Sequence, residues 1–419
     1  MIRKLALRHG ARARAVTLPL LAAAILAGDV SAMGSQPARL ARALRMPETM
    51  LVEALIDIRN NRLGAALERV EALLAVKPDF RLAQLVKGDL LMARARPIPT
   101  LGAANAPADR LNDLRDEARA RLNRYTLPPP KDHVPKYLLQ LDPEQRYAVV
   151  VDTGRSTLYL FENRNGTPRY LTDYYITVGR NGGNKAREGD KKTPLGVYRV
   201  TSELARDKLD PFYGSGAFPI SYPNEWDARQ GRNGHGIWLH GTPRDTYSRP
   251  PRASDGCVVL ANEDLDDLAK RVQIGITPVV IADHIEWVPA QTHEELRAAL
   301  SERLESWRAA WESRNTERYL QHYSRTFAAP NTSLAQWSAQ KKRVNATKEW
   351  IKVRLSATSV FLYPGRDDLA VINFSQDYSS SNLSNTIKKR QYWIREGTTW
   401  RILYEGTAEP ADFRTPNAS

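Results

Sequence analysis

The hydrophobic period of this chain changes in blocks, and that change constrains the fold more than any other feature. From residue 40 to 125 apolar residues recur at helical spacing, and from Tyr147 they fall in short strand-like runs split by turns. From His293 the helical spacing returns, and long alternating runs follow after Trp350. A period near 3.6 buries one stripe of a helix, whereas a period of two buries one face of a sheet, so blocks of different period call for separate cores. The reading is therefore multidomain: a small α-helical domain over 40–125, a Pro-rich linker over 126–145, a mainly β domain over 146–285 and an α+β domain over 294–410.

In the first block Leu51, Leu55 and Ile58 form one stripe, Leu67, Val70 and Leu74 a second, and Leu82, Leu85 and Val86 a third. Gly64 separates the first two segments and Pro78 precedes the third. The pattern resembles one tetratricopeptide-like unit, and an ordinary helical hairpin fits it equally well, since such repeats usually stack in threes or more. Three consecutive prolines, 128–130, then predict a stiff, extended connection.

The β block reads as strands at 147–152, 157–162 and 170–178, with "NRNG" at 163–166 as a hairpin turn. "GIWLHG" is a short strand ending at His240, "EDLDDLAKRV" an amphipathic helix and "TPVVIAD" a closing strand. In the last block Trp307, Trp311, Tyr319 and Tyr323 are expected to pack helices onto a sheet. "KKRQYW" at 388–393 reads as a solvated sheet edge.

Residues 1–32 read as an export signal. Arg3, Lys4, Arg8, Arg12 and Arg14 precede the apolar run "AVTLPLLAAAILAG", and "VSA" at 30–32 fits a small-x-small cleavage pattern. The run is shorter than the roughly 20 residues that span a bilayer, so cleavage is expected, and membrane contact would come only through an uncleaved signal. The expected location is a bacterial periplasm. The formal net charge of +14 draws the chain to anionic polymers, acidic substrates or membranes, and export argues against nucleic acid as the partner.

Export makes the cysteine count informative. Exported proteins meet oxidising conditions, where cysteines usually pair, yet Cys257 is the only cysteine in the chain. It is an intermolecular bridge, a buried inert thiol or a reactive one. One cysteine with scattered histidines gives no zinc-ligand spacing, and C-x-x-C is absent. A nucleophilic thiol needs a base, a group that orients the base, and N–H donors for the oxyanion. "LHGTPRDTYSRPPRASDGCVVL" at 239–260 can supply all three. His240 is the candidate base, the Gly241 carbonyl would fix its tautomer, and Gly256 lets the backbone turn tightly at Cys257.

At these residues the sequence resembles the L,D-transpeptidase (YkuD-type) catalytic domain. The resemblance covers roughly 147–283 and rests on "VGRNGGNKAREGDKKTPLG" (178–196), "FPISYPNEWD" (218–227), "HGIWLHGTP" (235–243) and "SDGCVVL" (254–260). It implies a mostly β fold and a cysteine nucleophile acting on the peptide stems of peptidoglycan, without metal or organic cofactor. By position Cys257 would be the nucleophile, His240 the base and Gly241 its orienting carbonyl, with Ser254, Asp255 and Gly256 at the oxyanion and substrate site. Many members carry a histidine where Asp255 stands and Arg or Asn where Val259 stands, which bears on the choice of substrate and acceptor.

The region from 294 to 404 resembles the nuclear-transport-factor-2-like (SnoaL-like) cone, and the pair of domains resembles the proteobacterial cell-shape branch of L,D-transpeptidases and L,D-carboxypeptidases. The resemblance implies an acyl transfer in which D-alanine leaves the stem and a thioester passes to an amine. The alternatives are hydrolysis of that thioester, linkage of stems to a protein acceptor, and a non-catalytic wall-binding scaffold. The last domain would position substrate or dimerise the chain. The loop "YPNEWDARQGRNG" is read either as a lid or as a loop packed on the sheet.

Overall fold

The computed structural model describes residues 46–98, 100–102 and 108–408. The export signal expected over 1–32 lies outside the described residues, as do 40–45 and 409–410 at the ends of the first and last blocks. Among the described residues no helix is long and apolar enough to cross a membrane.

Helices α1 (Met46–Arg59), α2 (Leu63–Val76) and α3 (Arg81–Met92) follow one another across short turns, and α4 (Ala108–Thr126) packs back against α1 and α3. Leu51, Leu67, Val70, Leu82 and Val86 are buried together with Ala54, Ala66 and Ala83, whose small side chains let the helices approach. Pro78 falls in the turn before α3, where its ring interrupts no helical hydrogen bond.

The segment after α4 is more than a linker. It holds β1 (His133–Pro135) and β2 (Leu138–Gln140), and β2 pairs antiparallel with a strand more than 200 residues later, Leu138 opposite Phe361. Leu138 and Leu139 are fully buried, so the short apolar run "YLLQL" is core rather than connection.

Next comes a meander of β3 (Tyr147–Asp152), β4 (Thr157–Arg164) and β5 (Thr167–Gly179). Its hairpin turns at Asn165 and Gly166, both at positive φ (54° and 91°), as a two-residue turn between right-twisted strands requires. The sheet is completed by β6 (Gly196–Arg199), β7 (Ala217–Pro219), β8 (Trp238–His240), β9 (Arg252–Ser254), β10 (Val258–Leu260) and β11 (Pro278–Ala282), in the order β6-β11-β3-β4-β5-β10-β8-β7 with β9 beside β5. Short α5 (Glu225–Arg229) precedes β8, and α6 (Asn262–Ala269) follows β10. Both faces are buried: Val149, Val151, Leu158 and Leu160 enter one core, while Ala148, Val150, Tyr159 and Phe161 enter another. Strand β12 (Trp287–Pro289) then pairs with β1.

That second core is shared with the last unit. There α7 (Ala290–Glu312), α8 (Thr316–Leu320) and α9 (Leu334–Ala346) cover a curved sheet of β13 (Tyr323–Ala329), β14 (Thr332–Ser333), β15 (Ile351–Tyr363), β16 (Arg366–Ser380), β17 (Leu383–Glu396) and β18 (Thr399–Thr407). Trp307, Trp311, Tyr319 and Tyr323 are all buried in it. The expectation for "KKRQYW" is corrected: these residues lie in β17, which is flanked by β16 and β18 and is no edge. The charges are tolerated because they are paired, Lys389 with the buried Glu405 at 3.1 Å and Arg390 with Glu225 of α5 at 3.0 Å. The loop weighed as a lid is packed at its α5 end, where Trp226 is buried against Tyr363 and the Tyr392 hydroxyl donates to Glu225 at 3.0 Å.

Candidate active site

The site grows from two parallel strands. Strand β10 lies beside β8 with Val258 opposite Leu239 and Val259 opposite His240. Val258 and Leu239 point into the core. By alternation His240 points to the opposite face, and so does Cys257, one residue before Val258. Tyr213 packs beside them: its ring meets the His240 ring edge-on at 5.1 Å, and its hydroxyl is held above the usual phenol range by burial and by the charge of a Cys257 thiolate.

His240 is buried, and its Nδ1–H donates to the Gly241 carbonyl at 2.7 Å. That bond leaves Nε2 as the proton acceptor. Gly241 must be glycine, because a Cβ there would lie 2.1 Å from Asn262 Oδ1 and 2.9 Å from the Ser215 nitrogen. Burial disfavours the imidazolium and lowers the His240 pKa to about 4 against the pull of the Gly241 carbonyl, with the Arg249 charge acting in the same direction as burial.

Cys257 is half-buried, and its thiol donates to the Gly236 carbonyl at 3.4 Å. Burial pushes its pKa up to about 11; a hydrogen bond from the Trp238 backbone opposes this, Asp255 adds to it, and Lys185 and Arg249 oppose it. Near neutral pH the two groups therefore rest as thiol and neutral imidazole rather than as an ion pair.

The turn before Cys257 is fixed by neighbours. Gly256 has φ 129°, and a Cβ there would meet the Lys192 carbonyl at 2.7 Å. Its own carbonyl accepts from Thr193 Oγ1 at 3.0 Å. Ser254 Oγ donates to the Cys257 carbonyl at 2.6 Å and accepts from the Gly256 N–H at 3.1 Å. Ser254 thus shapes the turn, and the Gly256 N–H expected at the oxyanion site is already engaged. Asp255 does not join the site as an oxyanion group: it is exposed, pairs with Arg180 at 3.0 Å, and as a carboxylate can only accept.

Several residues around the site carried no sequence assignment. The stretch 178–196 folds around Asp190, whose carboxylate accepts from Lys185 Nζ at 2.9 Å and from the N–H groups of Ala186, Arg187 and Lys192. Those bonds hold its carboxyl well below the usual range against burial. Phe212, half-exposed, lies 6.1 Å from the His240 ring, and the Arg249 guanidinium lies over Phe212. Their signal in sequence was only proximity to the quoted motifs. Among the described residues no group of three or more His, Cys, Asp or Glu is placed to hold a metal ion.

The family model of the L,D-transpeptidase catalytic domain matches residues 146–281, and that of the Cds6 C-terminal NTF2-like domain matches residues 299–406. No curated protein matches the chain. The solved structure of Bdellovibrio bacteriovorus Bd1075 is 33% identical with a TM-score of 0.59, covering 66% of this chain and 98% of that one. The helical cell shape determining protein Pgp2 from Campylobacter jejuni is 28% identical with a TM-score of 0.56, covering 65% of this chain and 95% of that one. A point mutant of Pgp2 gives 25% identity and a TM-score of 0.55, covering 72% of this chain and 100% of that one.

Proposed function

Because the chain belongs to the peptidoglycan-modifying family of L,D-transpeptidases and L,D-carboxypeptidases with a YkuD catalytic domain, here followed by an NTF2-like domain, we propose that it is a cysteine-dependent L,D-transpeptidase. The observation that carries this reading is the placement of Cys257 and His240 on one face of adjacent parallel strands, with Nδ1 held by Gly241. The substrate is the tetrapeptide stem of peptidoglycan, and the leader-like residues 1–32 are consistent with a periplasmic enzyme.

With both groups neutral at rest, the thiol is activated as it reacts. Cys257 Sγ attacks the carbonyl of meso-diaminopimelate, and its proton passes to His240 Nε2. The carbon–nitrogen bond to D-alanine breaks, the imidazolium protonates the leaving amine, and a thioester remains. An amine of a second stem then attacks the thioester, gives a proton to His240 and releases the thiol. Water in place of the amine would make the same site a carboxypeptidase.

The test is the chain from Met33 onward, incubated with a disaccharide-tetrapeptide and read by mass. A cross-linked dimer is expected. Disaccharide-tripeptide with free D-alanine and no dimer would assign the carboxypeptidase instead. Cys257→Ala should abolish either product, and His240→Ala should slow acylation by about two to four powers of ten. Turnover that survives Cys257→Ala overturns the reading.

A further inference from the structure

The loop of residues 243–253, which leads into Cys257, forms one wall of a cleft of about 740 Å³. The other wall is the helical unit, with Arg81 at the start of α3 and Arg110, Asp113 and Glu117 on α4. Neither wall alone would make the cleft, so the first domain contributes directly to the surface beside the candidate active site.

Arg249 connects the two places. It lines the cleft, its guanidinium sits 5.2 Å from the Phe212 ring centroid, and Phe212 packs beside His240. Its main chain is pinned, because its carbonyl accepts from the Tyr175 hydroxyl at 2.9 Å and from Thr177 Oγ1 at 3.0 Å. Yet Arg249 Nη1 is buried with no hydrogen-bond partner among the described residues. A buried guanidinium N–H without an acceptor is unfavourable, and a shift of this side chain into the cleft, where a carboxylate would meet it, would relieve that with a charge-assisted bond.

The rest of the lining points to a ligand of both signs. Among the described residues, Arg81, Arg110, Arg249, Asp113 and Asp245 form no ion pair, although all five line the one cleft. Glu117 differs, being held by Arg121 at 2.9 Å and by the Ser248 hydroxyl at 2.6 Å. Three arginines and two aspartates that are not paired with one another suit a peptide that carries carboxylates and an ammonium group together.

We propose that this cleft is a stem-peptide subsite, in which Arg249, Arg81 and Arg110 take carboxylates and Asp113 and Asp245 take an ammonium group, so that the helical domain completes the substrate site. The chemical class of the ligand rests on the function proposed above. The subsite itself rests on the cleft and on the unpartnered Arg249 donor.

The test uses the full chain from Met33 with Cys257→Ala, which binds without turnover, titrated calorimetrically with the same disaccharide-tetrapeptide. Adding Arg81→Glu and Arg110→Glu, both on exposed residues, should weaken binding at least tenfold. Arg94→Glu with Arg96→Glu, exposed on the same unit but outside the cleft, should leave binding unchanged. An unchanged Kd in the first pair overturns the proposal, and so does an equal loss in the second pair, which would mean general charge attraction. Product from the wild-type chain with no cleft dependence rejects the subsite and keeps the reaction. Cleft-dependent binding without product rejects the reaction and keeps the subsite.

Discussion

The catalytic unit is held on its two sides by different physics. Toward the C-terminal unit the contact is apolar and continuous: Val150, Tyr159, Phe161 and Trp226 share one core with Phe361, Tyr363 and Trp393, and β2 crosses over to join the far sheet. Toward the helical unit the contact is built on charge. Within the helical unit Arg121 is fully buried between Glu48 and Glu117 and Arg124 pairs with Glu48 at 3.3 Å; across the boundary Arg124 pairs with Asp173 at 2.5 Å and the Arg121 guanidinium lies 3.8 Å from the Tyr175 ring centroid. Apolar contact there comes through Tyr247, on Phe80 at 4.6 Å, and Ala261, which join the core of the helical unit. Apolar burial is non-directional and supplies stability. Buried ion pairs gain little net stability after desolvation, but they fix geometry. Here they fix Ser248, bonded to Glu117, and with it the loop that carries Arg249.

The largest effect should come from breaking the apolar side. Trp226→Ala removes a buried indole from the shared core and should cost about 3–5 kcal/mol. Because the core is continuous, calorimetry should still show the catalytic and C-terminal units melting together at a lower temperature. Separate transitions would mean that the shared core does not couple them.

The charged side should behave differently. Arg121→Met leaves Glu48 and Glu117 buried without their main partner and should cost about 3 kcal/mol. Combining it with Glu48→Leu and Glu117→Leu should recover most of that loss, since apolar replacements of a buried triad are often neutral or stabilising. Recovery of melting temperature without recovery of KM for the stem would separate placement from stability. A triple variant no more stable than Arg121→Met would show that the ion pairs themselves stabilise the helical unit.

The same contrast explains what could be read in the sequence. Short apolar runs rich in β-branched and aromatic residues located β3, β4 and β5 because both faces of these strands are buried, and "NRNG" located the turn because two positive-φ positions need such residues. That His240 would end a strand and that its Nδ1–H would meet the Gly241 carbonyl was legible because both are local features of "GIWLHG". What escaped was long-range. Three residues at 138–140 carry no sign that their partner lies at 360–361. Arg121, Arg124 and Glu117 on α4 look like an ordinary solvated helix face until another domain covers them. Lys389 and Arg390 read as an edge for the same reason, since their partners, Glu405 and Glu225, are distant in sequence. The Gly256 N–H was assigned to the oxyanion because local sequence does not reveal that Ser254 already accepts it.

The smallest effect should be the most selective. The His240 pKa of about 4 is set first by burial, with Arg249 contributing in the same direction. Neutral imidazole is the form that accepts the thiol proton, so the acid limb of acylation should lie near pH 4 rather than near His240's ordinary value. Protonation of the unfolded chain comes first as pH falls, so this histidine also makes the fold less stable between its ordinary value and about 4. Arg249→Ala removes a cation that disfavours imidazolium and should move the limb to higher pH by a fraction of a unit, while burial keeps it below the ordinary value. Trp226→Ala, on the apolar side, should leave the limb where it is. The limb can be read from single-turnover acylation at a series of pH values, with an NMR titration of His240 as the direct check. Equal shifts in the two variants would mean that the whole domain, and not the charged flank, sets the histidine. No shift in Arg249→Ala would leave burial as the sole cause and confine Arg249 to the cleft.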